Sequence, residues 1–304
     1  MQYTVARGAN IVFEGQALHT GVDTWARVVP APPNTGVVFR RIDIESASNL
    51  IPARLDLVVA TDYCTKIANE SGAAVSTVEH LLAALYCCGI HNAYIELRGP
   101  EVPNMDGSAK VFVDRFRNAG KLAQDVPAKV LKILKPVEVA NGETFARLQP
   151  SEVPEMEFTI SYPELEIGNQ FKKLELKNGN IANELSECRT FCTTKDIFQL
   201  WSMNKALGGT LETTLVVSEQ GVLTPNGMRM PDECVGHKML DAIGDLSLSG
   251  GVISGKFIGH LSGHALTIRL LRKLFSTNGA WQFMEADQDF ASDLPGEGML
   301  FNSN

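Results

Sequence analysis

The sequence contains no uninterrupted apolar stretch long enough to span a bilayer, and it is short of positive charge. Arginine and lysine number 27 against 35 acidic residues, which gives a formal net charge of −8 at pH 7. A membrane-spanning helix needs about 20 consecutive apolar residues, and non-specific binding to nucleic acid or to an anionic membrane needs a basic face. We therefore expect no stable membrane insertion and no nucleic-acid binding.

Cysteine is sparse and follows no metal-binding or disulfide pattern. The chain has 6 cysteines, none of them in a C-x-x-C spacing, and two of them, Cys87 and Cys88, are neighbours. A zinc ribbon or a disulfide framework would show paired spacings. We expect reduced thiols in or near the cores. Residues 1–7 show no apolar segment followed by a cleavage site, which predicts a cytoplasmic location.

The two halves of the chain follow the same order of predicted elements. Strand-like runs separated by glycine and proline open each half, at 10–13, 25–29 and 37–40 and again at 129–139, 145–148 and 157–161. A helix, a strand, a loop and a second helix follow, at 76–86, 93–97, 99–107 and 108–119 and again at 232–248, 252–258, 259–263 and 264–275. This order indicates an internal duplication.

Two short motifs align the copies. Residues 78–80 (VEH) match residues 235–237 (VGH), and residues 107–109 (GSA) match residues 263–265 (GHA). The interval between the two motifs differs by one residue in the two copies. The predicted fold class is α+β, with two similar two-layer domains, each a small sheet covered by two helices, packed with the active site between them. Proline and polar residues at 124–127 predict domains at 1–126 and 127–304.

One helix of the second copy offers a set of metal ligands. His237, Asp241 and Asp245 are spaced i, i+4 and i+8, so they project from one side of a helix. Two of them can bind a metal ion while the third carboxylate supports the site from behind. For an isolated H-x-x-x-D, a solvated helical pair is the commoner arrangement. His80 occupies the position equivalent to His237 in the first copy, which favours a site between the domains.

Glu79, beside His80, has two interpretations. Residues 76–79 (STVE) form a capping-box pattern, in which Ser76 is the N-cap and Glu79 reaches back to the backbone. A glutamate beside a metal-binding histidine is also the general base that a metallohydrolase needs. One carboxylate cannot fill both roles, and the local pattern alone favours the cap.

Several segments together resemble the UDP-3-O-acyl-N-acetylglucosamine deacetylases of lipid A synthesis. They are STVEHLLAAL (76–85), MDGSA (105–109), RTF (189–191), LGG (207–209), HKMLDAIGD (237–245) and SGHAL (262–266), with HTG at 19–21. The resemblance runs nearly end to end, in the family's order. It implies a zinc-dependent amidase that hydrolyses the N-acetyl group of a UDP-linked, 3-O-acylated amino sugar, releasing acetate and the free amine in the committed step of lipid A biosynthesis. We expect a monomer.

The resemblance also implies the metal ligands and the base. Carried over residue by residue, His80, His237 and Asp241 hold Zn²⁺, and the fourth position stays open for water or the substrate carbonyl. A bound zinc ion lowers the pKa of its water to about 7. Glu79 would then accept the proton from the attacking water.

Three further residues are implied to act on the reacting group. Thr190 and His264 are the protein candidates for donors to the negative charge that develops on the carbonyl oxygen. His264 opens a helix, whose dipole disfavours its protonation, and Asp245 opposes that effect. Whether His264 protonates the leaving amine or stabilises the oxyanion stays open.

Substrate contacts are implied at six residues: Lys238, Phe191, His19, Ile197, Leu200 and Gly209. Lys238 and His19 suit phosphate or nucleotide contact, and Phe191 suits stacking on uracil. The apolar residues of segment 197–203 are periodic enough to line one wall of an acyl channel. A solvated role for Lys238 and a core role for segment 197–203 are the alternatives.

The sequence departs from the family pattern at two positions. Gly236 stands where the family often has arginine, and Thr267 stands where asparagine usually follows the GHAL turn. Neither is among the implied ligands. The first removes a possible cation near the substrate, and the second alters a hydrogen bond under the site.

Two other functions use similar residues. A non-haem Fe(II) oxygenase also binds its metal with two histidines and a carboxylate, but such sites usually take an H-x-D/E pair from a strand. A non-catalytic UDP-sugar or acyl-carrier binding module with a structural metal is the second alternative. It has no need of Glu79, Thr190 and His264 together.

Overall fold

The computed structural model describes residues 1–45, 48–177, 179–287, 290 and 293–301. The strands of the first half are β1 (Gln2–Val5), β2 (Ile11–Gln16), β3 (Asp23–Pro30), β4 (Val37–Arg41), β5 (Leu50–Pro52), β6 (Val58–Ala60), β7 (Lys66–Ala68), β8 (Ala74–Val75), β9 (Ala93–Arg98) and β10 (Lys121–Gln124). Its helices are α1 (Glu79–Cys87) and α2 (Lys110–Ala119), with a 3₁₀ turn at Leu55–Leu57.

The second half is richer in helix. Its strands are β11 (Lys129–Ile133), β12 (Val137–Asn141), β13 (Thr144–Gln149), β14 (Glu155–Ser161), β15 (Asn169–Glu175), β16 (Phe191–Thr193), β17 (Leu215–Ser218), β18 (Gly221–Val222), β19 (Val252–Ser254), β20 (Lys256–His260) and β21 (Trp281–Glu285). Its helices are α3 (Asn180–Leu185), α4 (Thr194–Ser202), α5 (Glu233–Ser247) and α6 (His264–Ser276).

Each half contains a five-stranded sheet, and the two sheets have the same topology. Their strand orders are β2-β3-β9-β4-β5 and β12-β13-β20-β14-β15. In each sheet the fourth strand pairs in parallel with the third, as β4 with β9 and β14 with β20, and the other neighbours are antiparallel. The predicted fold class of two similar α+β domains is confirmed. The boundary between residues 126 and 127, which lies between β10 and β11, stays a prediction.

Helices α1 and α5 pack against each other at the centre of the molecule. Every residue of α5 except Lys238 and Ser247 is buried, which is the pattern of a helix surrounded by protein. The two backbones approach closely at Gly244, where an added Cβ would collide with the backbone of Glu79. The residue before His80 is thereby fixed against the helix that carries His237.

The other helices cover the sheets. Phe13 of β2 packs edge-to-face against Phe112 and Phe116 of α2, with ring centroids 4.7 and 6.1 Å apart. In the second half α6 packs on β12 and β13, and α5 packs on β14 and β15. One continuous cluster of buried apolar side chains runs through both halves. The helix layers therefore meet between the two sheets.

Three predicted element bounds were wrong. The helix predicted at 76–86 begins only at Glu79, because Thr77 has a positive φ of 55° and interrupts the backbone before it. The strand predicted at 129–139 is two strands, β11 and β12, which belong to different sheets. The strand predicted at 252–258 is likewise two, and the break is at Gly255, where an added Cβ would press on Ile133 and on the Gln149 carbonyl.

Two other sequence-based expectations concern thiols and membranes. All six cysteines are unpaired, and five of them are buried, as expected for reduced thiols in the cores. In the part of the chain that the structure describes, no helix is both long enough and apolar enough to cross a membrane.

Candidate metal centre and active site

Three predicted ligands from the two helices converge on one point. His80 lies at the start of α1, and His237 and Asp241 lie one turn apart on α5. Asp241 Oδ1 is 3.4 Å from His80 Nε2 and 3.3 Å from His237 Nε2, and the three ligand atoms all lie within 4.8 Å of one another. Two atoms that bind one zinc ion at tetrahedral positions, each about 2.0–2.1 Å from it, lie about 3.3 Å apart. The spacing fits a zinc ion.

Asp241 Oδ1 is the clearest sign that a cation belongs here. It is buried without a hydrogen-bond partner among the described residues, whereas Oδ2 accepts a hydrogen bond of 2.8 Å from Lys238 Nζ. Burial alone would raise the pKa of Asp241, but the neighbouring His237 and Lys238 outweigh it and hold the pKa well below its usual range. A buried, unpaired carboxylate oxygen is costly unless a proton or a cation satisfies it.

His237 is held in the form that binds metal. Its Nδ1 lies 3.1 Å from the Cys188 carbonyl oxygen, and because a carbonyl only accepts, Nδ1 must carry the proton. Nε2 is then the free lone pair that faces Asp241. Burial is the main cause that lowers the pKa of His237 to about 3, so the ring is neutral at physiological pH.

Glu79 projects into the site and does not cap its helix. The N-cap of α1 is Val78, which makes no side-chain capping bond, so the capping-box interpretation of Ser76 and Glu79 is wrong. The Glu79 carboxylate instead accepts a hydrogen bond of 3.1 Å from the Thr65 backbone N–H. Its pKa is raised mainly by burial. The base interpretation is the one that this geometry permits.

His264 and Asp245 form a buried pair beside Glu79. His264 Nδ1 lies 2.8 Å from Asp245 Oδ2, while His264 Nε2 faces Glu79 Oε1 at 3.9 Å and Asp241 Oδ2 at 3.8 Å. Burial alone would lower the pKa of His264. Asp245 and the other nearby carboxylates have the larger, opposite effect and raise the pKa to about 9. The imidazole is therefore a cation at neutral pH, as the expected support from Asp245 requires.

Thr65 joins these groups and was missed by the sequence analysis. Its backbone N–H binds Glu79, and its hydroxyl donates a 2.6 Å hydrogen bond to Asp245 Oδ1 and lies 3.4 Å from His264 Nδ1. These partners are 14, 180 and 199 residues away in the chain. No local pattern marks such a residue, because two of its three partners come from the other half of the chain.

Thr190 and Phe191 lie on the segment that leads past His237. The Phe191 ring meets the His237 ring edge-on, with centroids 6.2 Å apart. The Thr190 backbone N–H donates to the Gly107 carbonyl at 2.7 Å, which ties this segment to the MDGSA loop of the first half. For the Thr190 hydroxyl, the described residues provide no hydrogen bond, so its role as an oxyanion donor stays a prediction.

The segments that carry His19 and Gly209 come together although they are far apart in sequence. The Leu207 N–H donates to the His19 carbonyl at 3.2 Å, and an added Cβ at Gly208 would collide with the carbonyl of Ala17. The His19 side chain is buried, and neither ring nitrogen has a hydrogen-bond partner among the described residues. Burial lowers its pKa. A polar ligand would satisfy these nitrogens.

The predicted acyl-channel segment is the amphipathic helix α4. Thr193 and Asp196 form a capping box at its start, and Leu200 is buried. On its outer face Phe198 and Trp201 are 74% and 54% exposed and stack edge to face. The expectation of a role only in the core is therefore wrong for this exposed face. Of the two residues predicted to contact the acyl chain, Leu200 is buried and Ile197 is half-buried. Contact with an acyl chain stays a prediction.

The two departures from the family pattern have local explanations. Gly236 is buried, and an added Cβ would collide with Cys188 Sγ, so in this chain the position packs against another loop. The Thr267 hydroxyl is turned back to its own helix and donates to the Gly263 carbonyl at 3.3 Å. Gly236 has no side chain to contact the substrate, and the Thr267 hydroxyl is occupied within its own helix.

Comparison with known proteins finds one family along most of the chain. Residues 2–276 match the model of the family described as UDP-3-O-acyl N-acetylglycosamine deacetylase. A protein of Shewanella frigidimarina named UDP-3-O-acyl-N-acetylglucosamine deacetylase is 41% identical over 283 residues, covering 92% of each chain. The protein of that name from Phenylobacterium zucineum is 41% identical over 293 residues, covering 96% of this chain and 98% of its own.

Proposed function

Because the chain belongs to the UDP-3-O-acyl-N-acetylglucosamine deacetylase family, we propose that it hydrolyses the N-acetyl group of a UDP-3-O-(hydroxyacyl)-N-acetylglucosamine. The products are acetate and the free amine, and the step belongs to lipid A biosynthesis. The observation that carries the proposal is the convergence of His80, His237 and Asp241, with Glu79 and His264 beside them. The monomeric state and the cytoplasmic location stay predictions.

His80, His237 and Asp241 would hold a single zinc ion. When bound there, zinc supplies Lewis acidity to a water nucleophile and to the acetyl carbonyl. The orphaned Asp241 Oδ1 supports this assignment, and so does the neutral, Nδ1-protonated state of His237. Lys238 holds the other oxygen of Asp241 and so fixes which oxygen faces the ligand set.

Glu79 accepts the proton of the attacking water. Its raised pKa brings it nearer to neutral pH, which favours a group that must take up a proton and then release it. The Thr65 N–H occupies one carboxylate oxygen, which leaves Oε1 on the side of His264. The water therefore needs to lie between Glu79 Oε1 and the acetyl carbon.

His264 stabilises the negative charge that develops on the former carbonyl oxygen and is positioned to protonate the leaving amine. Asp245 keeps the imidazole cationic, and Nε2 points toward the same space as Glu79 Oε1. Preorganised donors of this kind contribute about 3 kcal/mol each to the transition state. Thr190 is the second proposed donor.

Substrate binding is assigned to residues around this centre: Lys238, Phe191, His19, Gly209, Ile197 and Leu200. The unpartnered nitrogens of His19 suit a nucleotide or phosphate, and the edge of Phe191 beside His237 suits a ring of the substrate. The apolar side of α4 suits the hydroxyacyl chain.

A single assay tests substrate and reaction together. The purified protein should contain about one zinc ion per chain and should release acetate from a UDP-3-O-acyl-N-acetylglucosamine, as measured by mass spectrometry. Glu79→Ala should keep the metal and lose nearly all activity. Glu96→Gln is a suitable control, because Glu96 lies on β9 and its carboxylate pairs with Arg27 of β3.

Two results would reject the proposal. If Glu79→Ala releases acetate at the wild-type rate, the base assignment fails. If the wild-type protein releases none, the deacetylase function fails, and the oxygenase and binding-module alternatives regain their place.

A further inference from the structure

Glu233 is a fully enclosed carboxylate near the site, and the proposed reaction does not use it. It is the first residue of α5 and is fully buried. It accepts hydrogen bonds from Arg189 Nε at 2.7 Å, from Arg189 Nη2 at 3.1 Å and from the Arg229 N–H at 2.7 Å. Replacing such a pair by apolar residues is often neutral for stability, so an ion pair buried this deeply calls for another explanation.

The Cys188–Arg189 peptide connects Glu233 to the metal site. The Arg189 N–H donates to Glu233 Oε1 at 3.1 Å, and the carbonyl of the same peptide accepts from His237 Nδ1 at 3.1 Å. A peptide unit is planar, so an anchor on its N–H also fixes the direction of its carbonyl. Glu233 therefore determines where the acceptor for His237 lies.

The same peptide is pressed onto α5 along a full helical turn. Glu233 and His237 are four residues apart, on one face of the helix. Gly236 lies between them, and it leaves the space that Cys188 Sγ occupies. A side chain at position 236 would have to displace the Cys188 side chain of this loop.

We propose that Glu233, together with Arg189, is a positioning residue that orients the His237 imidazole for the metal through the Cys188–Arg189 peptide. The inference rests on the proposed function, because His237 matters here only as a ligand. With the carbonyl in place, the proton stays on Nδ1 and Nε2 is free to bind. Without it, the ring can rotate or carry its proton on Nε2, and a protonated Nε2 does not bind metal.

Zinc affinity tests this directly. In competition with a chromogenic chelator, Glu233→Gln should bind zinc about tenfold more weakly than the wild type, since loss of a partner behind a ligand typically costs 10–100-fold in affinity. Asp232→Asn is the matched control: it removes the carboxylate of the preceding residue, which pairs with Lys172 and is 42% exposed. Its zinc affinity should equal that of the wild type.

A double-mutant comparison separates positioning from general loosening. In a His237→Gln background, Glu233→Gln should weaken zinc binding no further, because its route to the metal is already gone. An equal loss in both backgrounds would overturn the inference. So would a wild-type affinity in Glu233→Gln. A wild-type protein that binds no zinc would instead overturn the proposed function, and this inference with it.

The wild-type protein offers a second test that does not depend on how well the variant folds. In ¹⁵N NMR of the metal-free protein, His237 should show the Nδ1–H tautomer, with that proton protected from exchange. A dominant Nε2–H tautomer would mean that the Cys188–Arg189 peptide does not hold the proton on Nδ1, and the inference would fail.

Discussion

Thr65→Val should remove the hydrogen bond that links Thr65 to Asp245 while keeping the one that links it to Glu79. Valine keeps the backbone N–H that binds Glu79, and it replaces the hydroxyl that donates to Asp245 with a methyl group of similar size. Thr65 is fully buried, so it does not touch the substrate. The change therefore acts on catalysis only through Asp245 and His264.

The size of the effect follows from the bond that is lost. A hydrogen bond to a charged group contributes about 1.5–3 kcal/mol. Asp245 is 1% exposed, so water does not replace the missing donor. If that energy is expressed in the transition state, kcat should fall about 10–100-fold, at 1.36 kcal/mol per factor of ten. KM should stay near its wild-type value.

The measurement is steady-state acetate release, with thermal unfolding as a check on folding. Thr65→Ser is the control, because it keeps both the N–H and the hydroxyl, and it should retain most of the activity. A Thr65→Val enzyme with unchanged kcat would refute the positioning role. A rise in KM with unchanged kcat would place Thr65 in substrate binding.

Three further predictions concern stability. Gly244→Ala should destabilise the protein in urea unfolding, because its Cβ collides with the backbone of Glu79; at a helix position with free space, the same change would stabilise by about 0.5–1 kcal/mol. Chelating the metal should lower the melting temperature, because it leaves Asp241 Oδ1 unpaired, and an unchanged value would argue against a metal there. Burial lowers the pKa of His91 to about 4, and its Nδ1 accepts a hydrogen bond from the Tyr3 N–H. Because the unfolded chain binds the proton at a higher pH than the folded chain, the free energy of unfolding should fall by up to about 3 kcal/mol as the pH drops from 6.5 to 4. In His91→Asn, which keeps an acceptor but cannot be protonated, that pH dependence should shrink.

Much of the fold could be predicted because the chain repeats itself. The period of the strand-like runs and the two aligned histidine motifs predicted two similar α+β domains, and the identical strand orders confirm them. The spacing of His237, Asp241 and Asp245 predicted one helix face, and α5 carries all three. Local periodicity is a sequence property, so such features are readable without coordinates.

What failed depended on tertiary contacts within each half. The STVE pattern at 76–79 is a capping box by local chemistry, yet the carboxylate of Glu79 satisfies the Thr65 N–H instead. Glu233 looks like an ordinary acidic residue in the first turn of a helix, yet it holds the loop behind His237. In both cases a tertiary partner outweighed the local preference, and that partner lies 14 or 44 residues away in the chain.

The duplication also explains how a nearly symmetric scaffold supports an asymmetric reaction. At the position before the paired histidines, the first copy has Glu79 and the second has Gly236, which the packing of Cys188 keeps small. At the middle position of the aligned GSA and GHA motifs, the first copy has Ser108 and the second has His264. The proposed base and the proposed cation thus come from opposite copies, and they meet with Glu79 Oε1 and His264 Nε2 3.9 Å apart. Burial raises the pKa of Glu79 toward neutrality, while carboxylate neighbours raise that of His264 to about 9. Both copies contribute to the environment of each group, because Thr65 of the first copy binds Glu79 and also donates to Asp245, the partner of His264.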